Sequence, residues 1–408
     1  MAQKNTVFQE AAPSISTDQF IKTARNFTDK LLAKVLSRIE YGRLTVITPS
    51  KLCIHSEKKH EGPEAILYIK NTQFLKRVFS RGDIGLGESF IDGDWDTPDL
   101  YQFLSLCAVN ADNMGRFADG AVFQKMIWRF INLFVRRNTK SGSRKNIMAH
   151  YDVGNDFYSS WLDKSLTYSA AIFKNDTITL EEAQAAKYQR ILDELPQDTQ
   201  TILEIGCGWG GFAEYASSQG KQVTGITISP AQYAHAQKRL GNAAEILLCD
   251  YRDLKRQYDA IVSIEMFEAV GEEFWAGYFE TIKACLKPQG KAVIQSITVR
   301  DDLFDDYRKR NDFIRYYTFP GGMLPSTEKF IAIANKTSLD VNNVFHFGQD
   351  YKKTLLIWLD NLNATKADII RNKGVGFLKS WQFYLALCAA GFECERINVA
   401  QFTITQSN

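Results

Sequence analysis

A glycine-rich segment that joins an apolar run to a helical pattern constrains this chain more than any other feature. The apolar run Thr201–Ile205 contains Glu204 and leads into GCGWGG, and the helical pattern Phe212–Ser218 follows. Glycines at such a junction let the backbone approach a ligand and let the helix N-terminus face it. The spacing E-x-G-x-G-x-G is not the dinucleotide fingerprint GxGxxG, and no phosphate-binding lysine follows. We therefore expect a nucleotide-cofactor loop of another kind, with a simple tight turn as the alternative.

From residue 200 onward the chain alternates between apolar runs and helical patterns. Further apolar runs lie at residues 222–227, 245–248, 260–264 and 291–297, and a helical pattern covers 230–240. This alternation is typical of a parallel sheet with helices on both faces. The sequence therefore predicts an α/β fold for this part of the chain.

The N-terminal part has a different pattern, and 408 residues are enough for two separate cores. We predict a disordered leader at 1–17, an α+β domain at 18–135, a basic linker at 136–148 and a catalytic domain at 149–408. Within the α+β domain, the clustered Gly82, Gly85 and Gly87 predict a turn.

The end of the predicted α+β domain has a pattern that suits a membrane surface. A broad apolar stripe runs along residues 122–135, and five basic residues follow it without an acidic one: Arg136, Arg137, Lys140, Arg144 and Lys145. One interpretation is a docking face for anionic lipid, because apolar burial and basic attraction add at an interface. The alternative is a core helix followed by a solvated linker.

Composition limits the partners and the compartment. A net charge of +2 gives no sign of a nucleic-acid-binding surface. The seven cysteines form no CxxC pair, which predicts neither disulfides nor a metal site and fits a reducing cytosol. No apolar run reaches the roughly 18 residues of a membrane span. We expect a cytoplasmic protein that associates peripherally with the inner face of the membrane; whether it forms a homodimer is left open.

The glycine loop resembles motif I of class I methyltransferases, which bind S-adenosyl-L-methionine. Other segments resemble, in the same order, the cyclopropane-fatty-acyl-phospholipid synthase family, which includes the mycolic acid cyclopropane synthases. These segments are HYDVGNDFY at 150–158, LTYS at 166–169, SIEMFEAVG at 263–271, FPGGMLPS at 319–326, FGQDY at 347–351 and, in the first domain, LGESFIDGDW at 86–95. The resemblance implies a Rossmann-like, mostly parallel seven-stranded sheet preceded by a small α+β lipid-binding-like domain.

The resemblance also implies a reaction. A one-carbon unit passes from S-adenosyl-L-methionine to the cis double bond of an unsaturated phospholipid acyl chain, and a cyclopropane ring closes through a carbocation. Residues expected at the cofactor are Tyr168, Ser169, Glu204, Gly206, Gly208, Gly210, Thr227, Gln232, Asp250 and Tyr251. Aromatic faces stabilise a cation, and the candidates for this role are Tyr168, Tyr316, Tyr317, Phe319 and Phe267.

The base in this family is thought to be a bound bicarbonate ion, and the resemblance places its pocket. Glu268, Ile297 and Tyr317 match the family's pattern. Ala170 replaces the usual cysteine and still offers a backbone N–H. Gln295 replaces the usual histidine, so it can donate a hydrogen bond but cannot titrate. Anion binding survives these changes more easily than a proton relay does.

Two further residues complete the expected catalytic region. Cys388 matches a cysteine once considered catalytic, but a methyl group can pass directly to the alkene, and its apolar surroundings favour a structural role. Glu265 either faces the pocket with Glu268 or serves as a helix-start acid. The departures at Ala170 and Gln295 leave C-methylation to a methylene- or methyl-branched chain as the alternative product. A small-molecule N- or O-methyltransferase and a non-catalytic S-adenosyl-L-methionine- or lipid-binding protein are the remaining alternatives.

Overall fold

The computed structural model describes residues 14–115 and 153–407, and the chain divides into two compact units, one in each range. The predicted domain boundary at 135, the apolar stripe at 122–135 and the basic linker at 136–148 lie outside the described residues. Among the described residues, no helix is both long enough and apolar enough to cross a membrane.

The first unit is an α+β fold built on a five-stranded sheet in the order β1-β3-β2-β4-β5. Burial alternates along β4, where Ala65, Leu67 and Ile69 face the core, as a sheet covered on one face requires. The strands are β1 (Ser14–Ser16), β2 (Tyr41–Ile47), β3 (Cys53–His55), β4 (His60–Ile69) and β5 (Trp95–Asp96). The helices are α1 (Thr17–Thr23), α2 (Phe27–Leu36), α3 (Gln73–Arg81), α4 (Asp83–Asp92), α5 (Leu100–Val109) and α6 (Ala111–Met114).

The described residues 14–17 have regular structure, although the sequence placed them in the leader. Strand β1 pairs with β3, and helix α1 starts at Thr17. The Ser16 hydroxyl accepts a hydrogen bond from the Gln19 N–H, and the Gln19 side chain accepts one from the Ser16 N–H. This reciprocal pair is a capping box, and its sequence signal is the S-x-x-Q spacing. The leader prediction is therefore corrected for residues 14–17.

The predicted glycine turn is only partly a turn. Gly82 reverses the chain at a φ of +60°, but Gly85 and Gly87 lie inside helix α4. A Cβ at Gly85 would lie 2.3 Å from the carbonyl oxygen of Arg77 in α3. Gly85 is therefore a packing glycine that lets α3 and α4 approach closely, and this part of the prediction is corrected.

The second unit contains a seven-stranded sheet in the order β11-β12-β10-β9-β6-β7-β8. Strands β6 to β10 are parallel to their neighbours among them, whereas β12 is antiparallel to β10 and β11. The strands are β6 (Thr201–Ile205), β7 (Gln222–Thr227), β8 (Glu245–Leu248), β9 (Tyr258–Ile264), β10 (Leu286–Val299), β11 (Leu339–His346) and β12 (Ile397–Gln406). The predicted α/β fold is confirmed.

Helices and two apolar cores cover both faces of this sheet. Tyr188, Phe212 and Leu240 belong to one core, and Phe279 and Phe330 belong to the other. The helices are α7 (Asn155–Ser159), α8 (Leu180–Glu194), α9 (Gly211–Ser218), α10 (Pro230–Leu240), α11 (Trp275–Cys285), α12 (Phe304–Tyr307), α13 (Thr327–Lys336), α14 (Gly348–Ala364), α15 (Lys366–Lys373) and α16 (Val375–Glu393). This arrangement leaves the carboxyl ends of the parallel strands as the edge where a ligand binds.

Candidate active site

The glycine loop lies between β6 and α9, at the carboxyl edge of the sheet. Gly208 has a φ of +53°, and a Cβ built there would meet no atom within 4 Å. Its backbone therefore borders open space, as a loop that receives a ligand must. Gly210 has a φ of +89°, and a Cβ there would lie 2.9 Å from Leu240. The loop thus combines a glycine that exposes backbone with one that lets α9 and α10 pack.

Glu204, the acid before the glycines, is buried at the end of β6. Its carboxylate accepts a hydrogen bond from the N–H of Ala213 in α9, and burial raises its pKa to about 8. Lys187 is also fully buried, and burial lowers the pKa of its ammonium group to about 7, against the attraction of Glu265, Asp163 and Glu204. Its Nζ lies 2.6 Å from the hydroxyl of Ser169. Lys187 therefore fixes the hydroxyl of one predicted cofactor residue, and its charge acts to lower the pKa of another, Glu204.

The end of β7 holds Thr227 and Gln232 together. The Thr227 hydroxyl donates to the Gln232 side-chain oxygen at 2.9 Å, and both residues are buried. Ser229 caps α10 by accepting a hydrogen bond from the Gln232 N–H. The two residues predicted to hold the ribose therefore form one polar pair at the correct edge of the sheet. Their contact with a ribose remains a prediction.

Asp250 has a structural partner within its own loop. Arg252 binds both carboxylate oxygens, with Nε at 2.7 Å and Nη2 at 2.6 Å, and Asp250 also caps the short turn Tyr251–Asp253. The Tyr251 ring contacts Tyr278 edge-on at 5.4 Å, and burial raises the Tyr251 pKa to about 12. The adenine contacts predicted for Asp250 and Tyr251 therefore have to be made beside an existing ion pair.

Glu265 follows β9 and accepts hydrogen bonds from three separate segments. Its Oε1 accepts from the backbone N–H of Ala170 at 2.8 Å and from the side-chain amide of Gln295 at 2.7 Å. Its Oε2 accepts from the hydroxyl of Tyr351 at 2.6 Å. Burial raises the pKa of Glu265, whereas these donors and nearby Lys187 act in the opposite direction. Glu265 is therefore a carboxylate held by donors and not a simple helix-start acid.

Glu268 lies three residues further along, and its carboxyl group accepts fewer hydrogen bonds from other residues. Its Oε1 accepts from the N–H of Ile297 at 2.5 Å and from the Ser296 hydroxyl at 3.2 Å. Its Oε2 is buried and has no hydrogen-bond partner among the described residues. Burial, and then the negative charge of Glu265, raise the pKa of Glu268 to about 8. Glu268 is therefore neutral near pH 7.

A further polar chain fixes the orientation of the Gln295 amide. The Gln295 Oε1 accepts a hydrogen bond from Nε2 of Gln401 at 3.0 Å, and the Gln401 Oε1 accepts one from Arg190 at 2.6 Å. Arg190 can only donate, so the oxygen of the Gln401 amide faces Arg190 and its nitrogen faces Gln295. The oxygen of the Gln295 amide accepts from Gln401 in the same way, and its nitrogen faces Glu265. Gln295 is fully buried, and its NH₂ group is therefore directed at Glu265.

These contacts correct the predicted bicarbonate pocket. The N–H of Ala170 and the amide of Gln295 were expected to hold the ion, and both donate to Glu265 instead. The N–H of Ile297 donates to Glu268. The residues present therefore do not fit a bicarbonate ion in the predicted manner.

An aromatic wall surrounds Tyr168. Its ring is stacked on Phe319 at 6.4 Å and lies 5.4 Å from Trp358, and its hydroxyl donates to that of Tyr384 at 2.9 Å. Phe267 was a further candidate for stabilising a cation, but it is fully buried in the core beneath α11 and is corrected to a packing residue. The wall therefore consists of residues that are far apart in sequence.

Two predicted catalytic residues have other surroundings. The Tyr317 ring packs on Phe313 and Tyr316 and is 44% exposed, whereas the hydrogen bonds to Glu268 come from residues of β10. Cys388 lies in α16, and burial raises the pKa of its thiol far above the ordinary range. A thiol held protonated is a poor nucleophile. This agrees with a structural role for Cys388.

Several site residues were not predicted from the sequence. Lys187, Arg190 and Gln401 had no motif to mark them. Tyr351 closes the FGQDY segment at the start of α14, so its position in a family motif was the available signal.

The sheet order, with one antiparallel strand next to the edge strand, and the glycine loop after β6 define a class I methyltransferase fold. Residues 138–402 match the mycolic acid cyclopropane synthetase family. The tuberculostearic acid methyltransferase of Mycobacterium tuberculosis is 34% identical over 83% of this chain and 82% of its own length. The cyclopropane-fatty-acyl-phospholipid synthase of Escherichia coli K12 is 35% identical over 84% of this chain and 88% of its own. A mycolic acid cyclopropane synthase solved with SAH and CTAB is 32% identical, with a TM-score of 0.61 over 64% of this chain and 97% of its own.

This chain therefore belongs to the mycolic acid cyclopropane synthetase family. It is an S-adenosyl-L-methionine-dependent methyltransferase by fold and family. The glycine loop fits that group, because the backbone at Gly208 borders open space at the edge where the fold binds its ligand.

Proposed function

We propose that this chain transfers a one-carbon unit from S-adenosyl-L-methionine to the cis double bond of an unsaturated phospholipid acyl chain, and that a cyclopropane ring is formed. The supporting observation is that an aromatic wall meets a buried carboxylate pair next to the glycine loop. Tyr168 belongs to the wall, and Ala170, two residues later, donates a hydrogen bond to Glu265.

Each part of this site answers a requirement of the reaction. When bound, S-adenosyl-L-methionine supplies an electrophilic methyl group, and the site must hold the weakly nucleophilic alkene close to it. Attack leaves positive charge on the acyl chain, which the faces of Tyr168 and Phe319 stabilise. Trp161 and Trp358, at most 1% exposed, make the wall dry and so protect the cation from water. Loss of a proton from the added methyl group then closes the ring.

A second product is supported by one specific observation. Two relatives of nearly equal identity carry the names tuberculostearic acid methyltransferase and cyclopropane-fatty-acyl-phospholipid synthase. C-methylation without ring closure is therefore the second candidate. A small-molecule methyltransferase is less well supported, because these lipid-directed relatives match more than four-fifths of this chain, including residues of the first unit.

We further propose that the enzyme works at a membrane surface. The support is the sequence pattern at 122–145, in which an apolar stripe is followed by five basic residues. Each basic residue near an anionic surface contributes about 1 kcal/mol of attraction. Such a surface brings the protein to the phospholipid whose acyl chain it modifies.

The test is an assay of the purified protein on phosphatidylglycerol vesicles with S-adenosyl-L-methionine. Fatty acid methyl esters prepared from the lipids are analysed by mass spectrometry and proton NMR. We expect acyl chains heavier by one methylene group, with cyclopropyl protons, from cis-unsaturated vesicles and no product from saturated ones. Modification of the head group alone, or turnover that does not depend on the double bond, would contradict the proposal.

A further inference from the structure

Glu265 occupies the position in which a free anion was expected. Its Oε1 receives the Ala170 N–H at 2.8 Å and the Gln295 amide at 2.7 Å, the two donors predicted for bicarbonate. The Tyr351 hydroxyl binds the other oxygen at 2.6 Å. We propose that the Glu265 carboxylate is the catalytic base of this enzyme and that it replaces a dissociable bicarbonate ion. This inference rests on the proposed function.

The backbone at Glu265 supports a functional reason for the side chain. Its φ is +50°, in the left-handed region that favours glycine. A residue with a side chain there costs of order 1–3 kcal/mol and persists only when its surroundings hold it in place. Glycine would avoid this cost but would leave the three donors without the carboxylate that accepts from them. The turn also lets the side chain reach three donors that lie 30 to 95 residues away in sequence.

The surroundings of Glu265 and Glu268 favour different charge states for their carboxyl groups. Burial raises the pKa of Glu265, but its three hydrogen bonds and the attraction of Lys187 act in the opposite direction and favour the ionised form. Glu268 accepts two and experiences the charge of Glu265, so it is the member of the pair that keeps its proton. Pairs separated in this way supply one base and one neutral hydrogen-bond donor. Glu265 is therefore the member of the pair that ionises more readily and can accept a proton.

The substitution of glutamine for histidine fits this arrangement. A neutral amide donates to Glu265 without supplying a proton that the carboxylate could take up. The amide is fixed by Gln401 and Arg190, so it cannot turn its oxygen toward Glu265. Gln295 is therefore a positioning residue that keeps the base oriented and ionised.

The proposed step balances without any further reactant. The π electrons of the alkene form the bond to the methyl carbon, while the methyl–sulfur bond breaks and its electron pair remains on sulfur. Glu265 then accepts a proton from the added methyl group. The electron pair of that C–H bond closes the ring onto the cationic carbon, and Glu265 returns the proton to water before the next turnover.

The experiment uses three variants of the full chain and buffers freed of carbon dioxide. Glu265→Gly removes the base, relieves the backbone and leaves three donors free around a cavity. Glu265→Gln removes the base but keeps the cavity filled. Glu395→Gly is the matched control, because Glu395 is an exposed glutamate with a similar φ of +54°. Acyl product is measured with and without added bicarbonate or formate, and thermal shifts with the same anions report binding.

We expect wild-type activity to be independent of bicarbonate and the Glu395→Gly variant to behave like wild type. Both Glu265 variants should lose at least about 100-fold in kcat, the usual effect of a general base. Added bicarbonate or formate should restore activity to the glycine variant alone and should raise its Tm alone. Wild-type activity that requires bicarbonate, or a glycine variant that is active without an anion, would overturn the proposal.

The thermal shifts with added anions distinguish a failure of this inference from a failure of the proposed function. If bicarbonate raises the Tm of the wild type, or fails to raise that of Glu265→Gly, the assignment of the anion position to Glu265 is overturned whether or not acyl product forms. If the expected Tm shifts occur but no acyl product forms from unsaturated vesicles, the proposed function is wrong, whereas the assignment of the anion position to Glu265 is supported.

Discussion

The Glu268→Gln variant should be more stable than the wild type at alkaline pH. Glu268 has a folded-state pKa of about 8 because of burial and the charge of Glu265, against an ordinary value near 4.5. Between these values the unfolded chain has released the proton and the folded chain still holds it. The folded state therefore binds more protons, and stability falls as pH rises, by about 1.4 kcal/mol per pH unit for one group.

The magnitude follows from that slope. A group whose pKa is raised on folding contributes its full stabilisation below the unfolded pKa and loses it as pH rises through the folded pKa. Over the whole interval the loss is of order a few kcal/mol, and it ends above about pH 8. Glutamine keeps a side-chain oxygen for the N–H of Ile297 and cannot ionise, so it removes this loss.

Urea unfolding of both proteins at pH 5.5, 7, 8.5 and 9.5 measures the effect. The difference in unfolding free energy between variant and wild type should shift in favour of the variant by about 2 kcal/mol from pH 5.5 to pH 7, and should change little above pH 8.5. Glu204, which titrates in the same range, contributes equally to both proteins and cancels. Stability curves that run parallel across this pH range would refute the assignment of a neutral Glu268.

Three other outcomes follow from the site and the sequence. Tyr351→Phe removes a donor that lowers the Glu265 pKa, so the acid limb of the kcat/KM profile should move to higher pH. An unchanged acid limb would show that the Tyr351 hydroxyl does not affect the pKa of the base. Phe319→Leu should lower kcat by roughly 3- to 30-fold through lost cation–π attraction, with S-adenosyl-L-methionine affinity unchanged; equal effects on both would indicate a packing role. Changing Arg136 and Arg137 to Gln should weaken binding to anionic vesicles about 10-fold or more, and high salt should reduce the wild-type affinity. Binding that does not depend on salt would show that the basic segment does not attract the protein to the membrane.

Local sequence patterns predicted the scaffold of the second unit well. The bounds of β6, β7 and β8 matched, because each is a short apolar run with a clear turn at its end. The glycine loop was placed correctly for the same reason. In the first unit, Gly85 was read as a turn residue because composition alone does not distinguish a turn glycine from one that lets two helices touch.

The arrangement of the carboxylates could not be predicted in this way. The sequence showed that Ala170 and Gln295 depart from the family's pattern, but it did not show that both donate to Glu265. That contact depends on a left-handed backbone at Glu265 and on Tyr351 from a helix 86 residues further along. The charge states depend in turn on which carboxylate collects more donors, and only the folded chain determines this.

The most direct test of the central claim is turnover with S-adenosyl-L-methionine carrying a trideuterated methyl group, on vesicles with cis-unsaturated acyl chains. If the one-carbon unit enters the acyl chain and a proton is then taken from that carbon, the product is a cyclopropane that retains two of the three deuterium atoms. NMR and mass spectrometry of the acyl chains measure both features. Acyl chains without deuterium would contradict the account, and a branched chain with all three deuterium atoms would show that the base removes a proton from the chain instead.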